Sequence, residues 1–163
     1  MIAVEASRVG LLFAGLARLI GTPLAPHRGR DVPVTIELRP EFRGAGVVWD
    51  REYRFPDRRP ILVTSTKRLA SNGDLLECVG GGFGMSLDVF KRDRALHFVS
   101  RRYFWRVGPW RVPLPHLFSP GRAHVIHADL GGGRFRFTMT FRHAWLGTLF
   151  RQDGVFADEG GQS

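Results

Sequence analysis

The stretch "VVWDREYRF" (residues 47–55) decides the fold. Trp49, Arg51, Tyr53 and Phe55 recur at every second position, and Asp50, Glu52 and Arg54 fill the positions between them. A repeat of two is that of a strand with one buried face, because successive side chains of a strand point to opposite sides. The same period runs outward in both directions. Upstream, "VPVTIEL" (32–38) alternates, and the change to this period begins at Asp31. Downstream, "ILVTSTKRL" (61–69) and "LLECV" (75–79) are separated by a turn at "SNGD" (71–74), a strong hairpin signal. "FGMSLDVF" (83–90) places Phe83, Met85, Leu87 and Val89 on one face, and after "KRDR" the run "ALHFVSRRYFWRV" (95–107) reads as a long aromatic strand. "AHVIHADL" and "RFRFTMTF" flank the turn "GGG" (131–133), and a last strand falls within 145–157. Between them, "VGPWRVPLPHLFSPG" (107–121) reads as a proline-punctuated loop of lid length.

Ahead of these strands, Val9, Leu12, Phe13, Leu16, Leu19 and Ile20 recur at helical spacing, and Ile2 and Ala6 extend the stripe. This predicts an amphipathic helix over about 2–20, ended by Gly21 and Pro23. Its flanking arginines allow weak contact with a membrane surface. The apolar run "VGLLFAGLA" is too short to span a bilayer, and it lacks a small-residue cleavage pattern. The expected architecture is a single mainly β domain over 1–163. One N-terminal helix precedes an antiparallel meander of eight or nine strands over about 31–157, forming a closed or half-closed barrel, and 158–163 is a loose tail. Eight strands enclose room for one small ligand.

The chain has 163 residues, 44% of them hydrophobic, enough for a core of its own. Its formal charge is +9, and Lys67 and Lys91 are the only lysines, so arginine supplies almost all the positive charge. The arginines are scattered and form no tract of five or six like charges, which reads as a solvated surface. The one cysteine, Cys78, excludes an internal disulfide and a thiolate-rich zinc site, and fits a cytoplasmic location.

"LLECVGGGFGM" (75–85) resembles a phosphate cradle at first sight. A dinucleotide fingerprint, however, needs a third glycine where Met85 stands and a helix where a strand follows. Gly80 to Gly84 therefore reads as a turn or bulge requiring positive φ. That leaves Glu77, which alternation places on one face with Leu75 and Val79. Arg51 lies likewise between Trp49 and Tyr53. A buried unpaired charge is costly, so Glu77 and Arg51 are the natural interior pair. His124 and His127 are three apart in a strand, so they point to opposite faces and suit joint metal ligation poorly. No metal or cofactor motif is present. "RRYFWRVGPWR" (101–111) has the composition of a base-stacking surface, but no recognisable nucleic-acid motif accompanies it.

The segments "RLIGTPLAPHRGRDVPVTIEL", "WDREYRF", "LLECVGGGFGMSLDV", "VPLPHLFSP" and "GRFRFTMTF" occur in an order that resembles the bacterial family known as domain of unknown function 4166, over about residues 10–157. Members typically carry a Trp-x-Arg strand (here Trp49 and Arg51), an acid before a glycine-containing hairpin (here Glu77) and a Pro-Leu-Pro loop (here Pro113 to Pro115). Members also occur fused to reductase-like domains, which implies a place in small-molecule metabolism.

The expected function is binding of a largely apolar, in part anionic, small molecule in a barrel cavity. The first reading is a cofactor-independent cyclase or isomerase of polyketide-like or terpenoid-like metabolism. The alternatives are a non-catalytic carrier of lipid or another hydrophobic ligand and, third, a nucleic-acid-binding module. In the first, Glu77 is the general acid or base and Arg51 sets its charge state or holds an oxyanion. Trp49, Tyr53, Met85, Tyr103, Trp105, Trp110, His116 and Phe137 are the expected ligand contacts.

Overall fold

The computed structural model describes residues 2–8, 10, 27–42, 44–115 and 119–158. It is one antiparallel sheet of twelve strands, curled into a nearly closed barrel. In chain order the strands are β1 (Ile2–Ala6), β2 (Gly29–Val32), β3 (Val34–Pro40), β4 (Gly46–Tyr53), β5 (Ile61–Leu69), β6 (Leu75–Val79), β7 (Phe83–Arg92), β8 (Ala95–Val107), β9 (Trp110–Pro113), β10 (Arg122–Gly131), β11 (Arg134–His143) and β12 (Gly147–Ala157).

Across the sheet the order is β2-β1-β12-β11-β10-β8-β7-β6-β5-β4-β3. Its two edge strands are consecutive in the chain, separated only by Pro33. The segment 29–40 therefore pairs with β1 through its first half and with β4 through its second. One stretch of chain serves both edges, and this brings the sheet round on itself. Pro33 sits where the partner changes, a point at which a missing N–H breaks no ladder, and its carbonyl accepts a bond from the Arg54 N–H at 3.0 Å. Asp31 takes a left-handed φ of 55° beside the register shift in the β1–β2 pairing, the mark of a bulge.

The β1 strand corrects the expected helix at its start. "IAVEA" fits a repeat of two as well as a helical stripe, with Ile2 and Val4 inward and Glu5 out. β12 offers an unpaired edge, and ladder bonds from Ile2↔Gly154 to Ala6↔Phe150 decide the matter. Of the rest of the predicted helix, residues 9 and 11–20 lie outside the described residues.

The loop expected over 107–121 is also partly strand. β8 pairs with β10 only from Ala95 to Val99; from Phe104 to Val107 it pairs with β9, which folds back through the turn at Gly108 and Pro109. In the seam that β10 leaves, side chains replace the ladder. Ser100 Oγ accepts the Ala123 N–H at 2.8 Å, and the Tyr103 hydroxyl donates to the Gly121 carbonyl at 2.8 Å. The glycine turn is as the sequence requires: Gly81 and Gly82 have φ of 67° and 82°, and a Cβ on Gly82 would lie 2.6 Å from the Arg106 carbonyl oxygen. Of the tail, Asp158 is tied by its N–H to the Gly133 carbonyl, and 159–163 lie outside the described residues.

The barrel interior is the core. Tyr53 and Phe55 from β4 and its end meet Phe137, Met139 and Phe141 from β11, Phe150 from β12 and Met85 and Leu87 from β7. Among the described residues, no helix is long and apolar enough to cross a membrane.

Candidate functional site

Three neighbouring strands place the charges inside. Arg51 is on β4, Lys67 on β5 and Glu77 on β6, all on inward-facing positions. Lys67 and Glu77 are directly opposite in the β5–β6 register, and Lys67 Nζ lies 3.1 Å from Glu77 Oε1. Arg51 is two strands from Glu77, a backbone gap of about 10 Å. It crosses that gap because the intervening β5 residue is small. Ser65 lies beneath the guanidinium, accepts Arg51 Nη2 at 3.0 Å, and leaves Nη2 3.5 Å from Glu77 Oε1. Arg51 and Glu77 are 6% and 5% exposed, so neither charge is solvated by bulk water.

Burial by itself would raise the Glu77 carboxyl, but the charges of Lys67 and Arg51, with hydrogen bonds from Ser65 and Lys67, outweigh it and bring the group to about 2. Burial pulls Lys67 down from the usual lysine value, and Arg51 pushes the same way while Glu77 opposes. Across the barrel, His127 of β10 is driven to about 4 by burial, then by Lys67 and Arg51, so it is neutral at physiological pH.

These groups face aromatic and thioether surface. The Lys67 ammonium lies 4.4 Å from the Trp49 ring centroid, a cation–π contact, and the Trp49 ring meets His127 edge-on at 5.9 Å. Trp49, Arg51, Lys67, Glu77, Met85, Phe98, Val125, His127, Phe137, Met139 and Phe141 enclose a cavity of about 20 Å³, room for one water. Glu77 is the only acid in that lining, against two basic side chains.

The family model described as "Domain of unknown function (DUF4166)" matches residues 1–156. The chain belongs to the DUF4166 family. No curated protein and no solved structure matches it.

In this DUF4166 chain the structure brings together Glu77, Arg51, Trp49, Met85 and Phe137 of the residues expected from sequence. Tyr53 is fully buried but sits apart from the cavity, donating to Gln152 Oε1 at 3.2 Å across the barrel. Tyr103 latches the seam to Gly121, and burial pushes its hydroxyl up to about 12. Trp105 and Trp110 do not line the cavity. Trp105 stacks on Phe83 and donates to the Gly81 carbonyl outside the barrel, and Trp110 is 74% exposed. The β8–β9 hairpin carries both beyond the point where β10 stops covering β8, so the face they share covers no interior. His116 lies outside the described residues.

Sequence reasoning missed the titratable Lys67 and His127, and the apolar Phe98, Val125, Met139 and Phe141, of this lining. The signal for Lys67 was present: Val63, Ser65 and Lys67 alternate on one face, and Lys67 is one of only two lysines. His127 does point away from His124, which pairs with His97 on the outer face at 3.0 Å.

Proposed function

We propose that the barrel interior binds a small molecule with an apolar body and one anionic group, of which a carboxylate is the simplest. The observation that supports this is the charge count inside an aromatic wall: Arg51 and Lys67 share the single carboxylate of Glu77. A buried cation without a full partner is costly, and the downward pull on Lys67 expresses that cost. An incoming anion relieves it. The space present holds little more than a water, so the body of the ligand enters by displacing side chains. Met85 and Met139, unbranched and adaptable, are suited to move. The seam between β8 and β10 offers a way in, because two side-chain hydrogen bonds stand where a ladder would be.

Recognition by a carrier fits this geometry better than general-acid catalysis. Glu77 is ionised far below neutral pH and has no proton to give. The cyclase or isomerase reading draws support from a different group: neutral His127 faces the same cavity and can accept a proton. With Cys78 the only cysteine, a cytoplasmic setting is part of the proposal.

The test is a calorimetric comparison of a long-chain carboxylate with the alcohol and the amine of the same chain length. The carboxylate is expected to bind at least roughly tenfold more tightly, and Lys67→Met to remove that preference. Equal affinity for acid and alcohol in the unmodified protein would sink the proposal. Recovery of the ligand unchanged after prolonged incubation supports the carrier, and a rearranged product supports the enzyme.

A further inference from the structure

The β8–β9 hairpin is amphipathic in an unusual place, projecting from one end of the barrel. Its register sets Trp105 opposite Val112 and Val107 opposite Trp110, so these four side chains share one face. All four are exposed, Trp110 the most at the turn. The other face carries Arg106 directly opposite Arg111. Like charges in direct register repel each other, and among the described residues neither arginine has a carboxylate within ion-pair distance. Trp105 is steadied by its stacking on Phe83 and its bond to the Gly81 carbonyl, and the Arg111 guanidinium lies 5.8 Å from the Phe104 ring centroid, yet Val107, Trp110 and Val112 stay exposed.

A second turn joins the patch. β8 runs to the end where β10 begins and β11 finishes, since Arg122 pairs with Arg142. The β11–β12 turn is therefore at the same end, and it presents Trp145, 78% exposed, and Leu146. Three of the chain's four tryptophans are thus exposed at one end, and the fourth, Trp49, lines the cavity. The turns at the opposite end are polar or glycine-rich, at 71–74, 93–94 and 131–133, and the apolar side chains exposed there, Phe42, Leu69 and Leu130, include no tryptophan.

We propose that this end of the barrel docks on an anionic phospholipid surface. Tryptophan rings and aliphatic side chains insert at headgroup depth, where one end of an indole is apolar and the other wet. The arginines on the back of the ribbon reach the phosphates with their stems along it. Charge complementarity selects an anionic bilayer over a zwitterionic one. A nucleic acid fits less well: Val107, Val112 and Leu146 offer no ring for a base to stack on, and the arginines are on the face opposite the tryptophans. The inference is independent of what the interior binds, although the seam latched by Tyr103 lies beside this hairpin.

Co-sedimentation with vesicles tests it, using phosphatidylcholine alone and phosphatidylcholine mixed with phosphatidylglycerol. The chain is expected to bind the mixed vesicles, with its tryptophan emission shifting to shorter wavelength. Arg106→Gln with Arg111→Gln should weaken binding by roughly 30-fold, at about 1 kcal/mol for each basic residue near an anionic surface. Trp110→Ser should weaken it by roughly tenfold through lost apolar contact. Phe42→Ser, at the far end, should change nothing. Each variant is on the surface, and an unchanged melting temperature confirms that it folds. Equal binding to both vesicle types, no effect of these substitutions, or displacement of the vesicles by a single-stranded oligonucleotide at physiological salt would overturn the proposal.

Discussion

The barrel interior and the β8–β9 hairpin use the same residue types, arginine beside tryptophan, in opposite settings. Inside, Arg51 is held by Ser65 and Glu77 next to Trp49, out of bulk water. On the hairpin, Arg106 and Arg111 face each other across two strands, solvated and, among the described residues, without a carboxylate in ion-pair distance. Water makes the difference. A charge removed from solvent depends on its partners, and losing one leaves the other stranded. A solvated charge keeps its hydration, so its partners contribute little to folding and it remains available for an external surface.

The largest expected effect separates the two regions by stability. Glu77→Gln leaves Arg51 and Lys67 sharing no carboxylate and should lower the unfolding free energy by about 3 kcal/mol. Arg111→Gln should stay within about 0.5 kcal/mol. Urea denaturation of both variants measures this, and similar losses in the two would erase the contrast.

Acid should act on the interior through two groups of the same sign. Glu77 falls from the ordinary 4.5 to about 2 on folding. The unfolded chain therefore takes up that proton first, and stability present above pH 4.5 is lost as pH falls to 2. The shift corresponds to roughly 3 kcal/mol. His127, depressed from 6.5 to about 4, is favoured neutral by the fold, so its contribution is lost earlier, between pH 6.5 and 4. Melting temperatures across this range should fall in both windows. Glu77→Gln should flatten the lower one and extend the upper one to lower pH, because the Glu77 charge opposes the depression of His127.

A smaller loss than that at Glu77 concerns the seam. Tyr103→Phe removes the bond to the Gly121 carbonyl and should cost about 1 kcal/mol. Amide exchange at Ala123 and Gly121 should quicken while β5 and β6 stay protected. Unchanged exchange along the seam would mean that Tyr103 is not its latch.

Much of this was legible in sequence because strand alternation reports a polar residue set among apolar ones. It isolated Arg51 between Trp49 and Tyr53, and Glu77 between Leu75 and Val79. Lys67 escaped notice because Ser65 separates it from Val63 and weakens the apolar alternation against which a charge stands out, and only the β4–β6 register shows the three groups converging. Periodicity assigns a face but not the extent of the barrel, so Trp105 and Trp110 read as lining although they lie past its end. "IAVEA" fits two periods, and the free edge of β12 chooses between them. Closure through Pro33 depends on pairings remote in the chain, with β1 on one side and β4 on the other, which no local pattern contains.

The most direct measurement is a crystal structure of the chain with a bromine-tagged long-chain carboxylate, the halogen marking the tail by its anomalous signal. The carboxylate is expected within hydrogen-bond distance of Lys67 Nζ or the Arg51 guanidinium, the tail among Met85, Phe137 and Met139, and the Lys67–Glu77 contact lengthened. A carboxylate held at the barrel rim with its tail leading inward, or an interior left unchanged at saturating ligand, would contradict it.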